Sequence, residues 1–176
     1  ELAEWIWGRR ADWHSPMPTT REALVNAEDR ATFPVIFADR NDNCGGGSPG
    51  DSTGILQTFI DFDLQDACIL YIVDPSAVAE CEKAGVGATL TLDVGAKSST
   101  LQGTPVRMTA EIVALSDGHF RYGGPRNAGL DGSMGPSAYI RQDGIHVLLV
   151  TEREQPYDTA FSQTLGLNPQ NMRYIG

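Results

Sequence analysis

Basic residues are scarce. Thirteen lysines and arginines stand against 23 aspartates and glutamates, a formal net charge of −10, and the cations nowhere form a run. Nucleic-acid binding needs a basic surface that neutralises phosphates, so the balance argues against a nucleic-acid partner and against adhesion to an anionic membrane. No apolar stretch reaches the roughly 20 residues that cross a bilayer. Cysteine is sparse and odd in number: Cys44, Cys68 and Cys81. Cys68 lies in the apolar run Ala67–Val73 and Cys81 sits mid-helix, so both are expected as small buried hydrophobes without a bridge. Such usage suits a reducing cytoplasm. The histidines are His14, His119 and His146 alone, with no H-E-x-x-H and no paired cysteine spacing. Each is expected as a surface or locally bonded side chain, and no metal site is expected within this chain by itself.

What is present is globular. A chain of 176 residues with 41% hydrophobic and 20% charged residues buries a core without staples. The chain opens inside a helical pattern and stops in a strand-like segment at Tyr174–Gly176, so both ends are expected to be cuts in a longer protein. There is no internal repeat and no low-complexity tract.

Residues 1–30 form a helical lead-in. Leu2, Trp5, Ile6 and Trp13 fall at helical spacing, giving a face that packs on a partner surface or in a core. Thr19 and Glu22 make a capping-box pattern ahead of a helix over Arg21–Glu28. Residues 31–87 then alternate strand and helix. Pro34–Ala38 and Ala67–Val73 are continuous apolar runs suited to parallel strands covered on both faces. Between them lie a glycine-rich loop and a helix over about Thr53–Phe62. Asp74 and Pro75 open a helix, Ser76–Ala84, that Gly85 closes.

From residue 88 to 176 the period changes to two. Ala88–Val94 and Val106–Ala114 alternate apolar with polar residues, as antiparallel strands with one wetter face do. Asp143-Gly144 between Ser137–Arg141 and Ile145–Thr151 is a hairpin signal. Gly123–Gly135 has the composition of a flexible loop, and Tyr157–Leu165 that of a last helix. The expected fold is one α/β domain: a partly parallel sheet with flanking helices, then an antiparallel β extension.

The segment Asp39–Thr53, DRNDNCGGGSPGDST, carries the chemistry. Glycines without Cβ let backbone N–H groups approach a ligand, and the following helix adds partial positive charge. Gly45, Gly50 and Ser52 fit a phosphate-binding P-loop, but its lysine position holds Asp51, which would repel a triphosphate. Asp51 or Ser52 can equally cap the helix. The cluster Asp39, Asp42, Asn43 and Asp51 needs a cation or donors to offset its like charges.

The string D-x-x-D-N-x-G-G-G-x-P-G-D-S-T, Asp39 to Thr53, resembles the signature of the carboxy-terminal domain of microcystinase C (MlrC)-type metallopeptidases. The stretch Asp74–Ala88, Gly123-Gly124-Pro125, Met134-Gly135 and Gln155-Pro156-Tyr157-Asp158 extend the resemblance in order along the chain. Cys44 departs from it, where a proline is expected. The resemblance implies zinc-dependent cleavage of small or linearised peptides. It also implies that the metal ligands lie mostly in an amino-terminal domain missing from this chain, so that zinc belongs to the full-length parent and none to this fragment, which would be inactive alone. Asp42, Asn43 and Asp51 are then expected at the reaction centre, supporting a metal ligand or holding substrate. Gly45, Gly46, Gly47, Gly50, Ser52 and Thr53 are expected to contact substrate. The expected partners are the missing domain and a peptide, with a homo-oligomer left open.

Other nucleophiles are weaker. Cys44 has no histidine near in sequence and a carboxylate beside it, which disfavours thiolate. Gly50-Asp51-Ser52-Thr53-Gly54 matches G-x-S-x-G in spacing but follows a long glycine loop, not a sharp elbow. Tyr157 and Asp158 are expected in a structural turn. The alternative from another class is a non-catalytic binding or scaffold domain whose glycine loop holds a small polar ligand.

Overall fold

The computed structural model describes residues 1–13, 16–30, 32–155 and 157–176. The expectations for His14 and Pro156 thus fall outside the described residues.

Short-range signals produce the helices much as the residues predict. Helix α2 (Thr20–Arg30) starts on a reciprocal capping box: the Thr19 N–H donates to Glu22 at 2.8 Å, and the Glu22 N–H donates back to Thr19 Oγ1 at 3.3 Å. Helix α3 (Gly54–Asp61) turns Leu56 and Phe59 fully inward. Helix α4 (Pro75–Ala84) has Asp74 as its cap, accepting from the Ala77 N–H at 3.0 Å, and ends at Gly85 with φ 85°. Helix α1 (Leu2–Gly8) buries nothing, and the tight turn Arg10–Trp13 after it buries nothing either. Helix α5 is shorter than expected, Ala160–Thr164, because Asp158 accepts the Ala160 N–H at 2.8 Å and so sets the helix start past Tyr157.

Seven strands make one sheet: β1 (Val35–Ile36), β2 (Ala67–Val73), β3 (Thr89–Val94), β4 (Val106–Ser116), β7 (Ser137–Gln142), β8 (Ile145–Val150) and β9 (Tyr174–Ile175). Their order is β1-β9-β2-β8-β7-β4-β3. The pairs β1–β9, β9–β2 and β2–β8 are parallel, whereas β8–β7, β7–β4 and β4–β3 are antiparallel. A small ribbon of β5 (His119–Arg121) and β6 (Asp131–Ser133) stands beside this sheet.

Alternation along the strands divides the core. Ala67, Ile69, Ile140, Val147 and Leu149 pack with Leu56, Phe59 and Val78 from α3 and α4. Cys68, Tyr139, Leu148 and Val150 pack on the other face with Phe120, Met134 and Phe161. Cys68 and Cys81 are fully buried, and burial pushes their thiols up to about 12 and about 11.

Two expectations are corrected. Pro34–Ala38 is no doubly covered strand: β1 is two residues at the sheet edge, with Ile36 70% exposed and only Phe37 of the run buried. An apolar run fixes neighbours' appetite for burial but not a strand's place in the sheet. The Gly123–Gly135 stretch is not a free loop either. Its end forms β6, the Tyr122 N–H donates to the Leu130 carbonyl at 3.0 Å, and Arg121 Nε donates to the Gly129 carbonyl at 2.8 Å.

Candidate functional site at the carboxyl edge of the sheet

The segment Asp39–Thr53 leaves the carboxyl end of β1 and lies along that of β2, the edge where open α/β sheets gather ligands. Its carboxylates are met by hydrogen-bond donors. Asp39 Oδ1 accepts the N–H groups of Asn41 and Asp42 at 2.9 and 3.3 Å. Asp42 straps the loop across its width, Oδ1 accepting from Gly50 N at 2.8 Å and Oδ2 from Ser52 N at 2.7 Å. Asn43 caps the turn Cys44–Gly46 by accepting the Gly45 N–H at 3.0 Å. The Gly46 and Gly47 N–H groups donate to the carbonyls of Asn43 and Cys44 at 2.9 and 3.0 Å. The N–H groups of Gly45, Gly46, Gly47 and Gly50 therefore work within the loop, leaving its exposed carbonyls and side chains to meet a ligand.

Gly50 is sterically required. At φ 80° a Cβ would collide with Cys44 Sγ and stand 2.9 Å from Val73 Cγ2, while the Gly50 carbonyl accepts the Val73 N–H at 2.7 Å. The loop is thus laid directly against β2.

Asp51 and Thr53 point inward, at 3% and 2% exposure. Asp51 accepts the Lys97 and Ser98 N–H groups, both at 2.8 Å, and the Ser98 hydroxyl at 2.7 Å. Thr53 donates its hydroxyl to the Thr104 carbonyl at 2.9 Å. Next to them, Asp74 accepts from Gly95 N at 2.9 Å and from Lys97 Nζ at 2.8 Å on both oxygens. Burial pushes the Asp74 carboxyl up, but the Lys97 ammonium, the Gly95 and Ala77 amides and the Ser76 hydroxyl outweigh it and hold it below its ordinary value. Asp51 and Asp74 together clamp the turn after β3 onto the glycine loop. Lys97 and Ser98, absent from the sequence-based candidates, are central here.

The side chains that do face an opening are different ones. Asp42, Asn43, Cys44 and Ser52 line a cleft of about 570 Å³ whose floor includes Ile55, Ile69 and Tyr71 and whose far rim holds Gln155. The Tyr71 hydroxyl donates to the Glu154 carbonyl at 2.9 Å. Burial, then contact with Cys44 and the charges of Asp42 and Glu154, pushes this phenol up, so it remains a neutral donor.

The segment leaving β8 completes the rim. Arg153 Nη1 donates to the Ser48 and Gly47 carbonyls at 3.0 and 3.3 Å, and Gln155 packs over Gly45. Tyr122 donates to the Gln155 carbonyl at 3.1 Å. Asp158 accepts from Gly123 and Gly124 at 2.9 and 2.6 Å. Slight burial raises its carboxyl, but the Ala160, Gly124 and Gly123 amides prevail and hold it low. The Met134 carbonyl accepts the Thr151 and Glu152 N–H groups at 3.2 and 2.9 Å. Segments far apart in sequence, Asp39–Thr53, Gly123–Pro125, Met134–Gly135 and the described part of Gln155–Asp158, are thereby laced together along one edge.

Among the described residues no three His, Cys, Asp or Glu side chains gather closely enough to hold a metal by themselves. His119 is exposed on β5, and His146 on β8 bonds Tyr139 instead. Burial, then Arg141, pushes His146 down, keeping its ring neutral. No described helix is long and apolar enough to cross a membrane.

Fold and edge together define an α/β domain that bears a glycine-rich loop at the carboxyl end of a mixed sheet. The profile described as "MlrC C-terminus" matches residues 37–176. Microcystinase C of Sphingomonas sp. is 32% identical over 152 residues, which is 85% of this chain and 29% of that protein. A crystal structure of a candidate metallopeptidase from Mesorhizobium sp. BNC1 shares the fold with a TM-score of 0.84 at 24% identity, covering 99% of this chain and 35% of its own. The chain belongs to the MlrC C-terminal family. It spans about a third of the length of these relatives.

Proposed function

We propose that this chain is the carboxy-terminal domain of a zinc metallopeptidase acting on small or linearised peptides, and that its loop edge is the substrate-facing wall of a site whose metal ligands belong to the rest of a longer polypeptide. The observation that carries this reading is the convergence of separated motifs on one edge of the sheet. The family and the printed name of the Sphingomonas relative support peptide hydrolysis as the chemistry. On this reading Asp42 and Asn43 hold the loop in shape, Ser52, Gln155 and the neutral Tyr71 offer polar contacts to a peptide main chain, and Ile55 and Ile69 receive an apolar side chain. Asp51 acts from behind, fixing the loop to the Gly95–Ser98 turn. The thiols of Cys44, Cys68 and Cys81, all free, support a reducing compartment such as the cytoplasm.

The test uses the full-length parent. Gln155→Ala is expected to lower kcat/KM on a linear peptide at least tenfold while zinc content and Tm stay at wild-type values. The 176-residue chain by itself is expected to bind no zinc and turn over no peptide. Tight stoichiometric zinc in this chain would sink the division of labour. Unchanged kinetics in the Gln155 variant would favour the rival reading, a binding domain for a small polar ligand.

A further inference from the structure

The lead-in has a second surface that the proposed site does not use. Leu2, Trp5, Ile6, Trp7, Trp13 and Met17 are between 42% and 71% exposed. Single exposed apolar residues are ordinary, but these crowd into one short segment. Trp5 meets Trp13 edge-on at 6.5 Å, and Trp13 and Met17 line a groove of about 720 Å³ whose opposite wall is the β1 edge, with Ile36 70% exposed. Arg9 and Arg10 lie over the Trp5 and Trp7 rings at 4.5 and 4.7 Å, covering one side of each indole without burying it. The groove ends at Asp39 and Arg40, which also line the proposed substrate cleft.

We infer that this tryptophan ridge and the β1 edge seat the remaining part of the longer polypeptide, through an apolar face that places it directly beside the loop edge. The inference rests on the proposed division of the enzyme. Two observations choose this occupant. The lead-in lies outside the family match at 37–176, yet the solved relative superposes on 99% of this chain, so it shares the lead-in fold. The chain accounts for only 35% of that relative's length, which leaves ample polypeptide to cover the ridge. Continuity of groove and cleft further means that a body seated there borders the substrate cleft.

The three tryptophans of the chain all lie exposed in the lead-in, and Trp5 and Trp13 touch on the ridge, so their oxidative footprinting reads it directly. Peptide-resolved modification rates in the full-length parent are expected to fall at least fivefold relative to the 176-residue chain, and Trp13→Lys in the parent is expected to restore modification at Trp5. Equal rates in parent and chain would overturn the proposal. So would concentration-dependent protection of the 176-residue chain with a dimer in sedimentation velocity, which would assign the ridge to a second copy. Protection in a parent without peptidase activity would uphold docking and sink the metallopeptidase reading; peptidase activity without protection would do the reverse.

Discussion

Asp51 and Asp74 are buried carboxylates on which donors converge from two segments, Ser76–Ala77 and Gly95–Ser98. Asp51→Ala would take the acceptor from two amides and a hydroxyl on the exposed Lys97–Ser98 turn. With each lost hydrogen bond worth about 0.5–1.5 kcal/mol net, a loss of about 2 kcal/mol is expected by urea unfolding, and Asp51→Asn should lose less. A variant as stable as wild type would show that the clamp holds nothing. The capping role of Asp74 is local, three residues from Ala77, and so stands in the sequence. The bond from Ser98 to Asp51 spans 47 residues and leaves no local trace. The inward placement of Asp51 therefore cannot be read from the residues around it. Asp42, expected with it at the reaction centre, lies at the cleft, but with both oxygens engaged in strapping the loop.

Among the elements, those with strong turn or cap chemistry were visible and those without were not. Asp143-Gly144 joins β7 to β8 with Asp143 at φ 51°, the conformation its dipeptide favours. β5 and β6 are three residues each, too short for periodicity to register, and the Gly118 carbonyl extends their pairing by accepting the Met134 N–H at 3.1 Å. Gly118 sits at φ 81°, and a Cβ there would land on the Gly135 backbone. Gly118→Ala is expected to cost about 2–4 kcal/mol, combining left-handed strain with a backbone clash, and to speed amide exchange across β5 and β6. Gly46→Ala is the contrast: nothing stands closer than 3.9 Å to its Cβ, so melting should barely move. If both variants melt alike, the packing account of the ribbon fails.

For the molecule as a whole, acid is the relevant stress. Asp74 and Asp158 sit below their ordinary value of 3.8 in the folded state. The unfolded chain therefore takes up protons first as pH falls. Their stabilisation is complete above about pH 4 to 5 and is lost as pH drops through 3.8 toward the folded values. Thermal melts should hold level from pH 7 to 5 and fall steeply below 4, with Asp74→Asn flattening that acid limb. An acid limb unchanged in the variant would remove Asp74 as its source. The net charge of −10 vanishes near the isoelectric point of 4.6, so solubility should fall in the same region. At this scale the mixed sheet could be foreseen, because runs buried on both faces and alternating runs differ in period. The strand order could not. Tyr174 and Ile175 slide between β1 and β2, a pairing of Val35 with Tyr174 that no local pattern encodes.

The placement of β9 has a consequence for biosynthesis. While the chain is being made, β1 and β2 have a gap between them that only residues near position 174 can fill, so the platform under the glycine loop is assembled after nearly everything else described has left the ribosome. Until then Phe33 and Phe59 lack the Tyr174 ring, the Phe37 N–H lacks the Ile175 carbonyl, and two unpaired strand edges stand open to strangers. Nascent chains stalled just short of Tyr174 should therefore be the ones that chaperones hold longest.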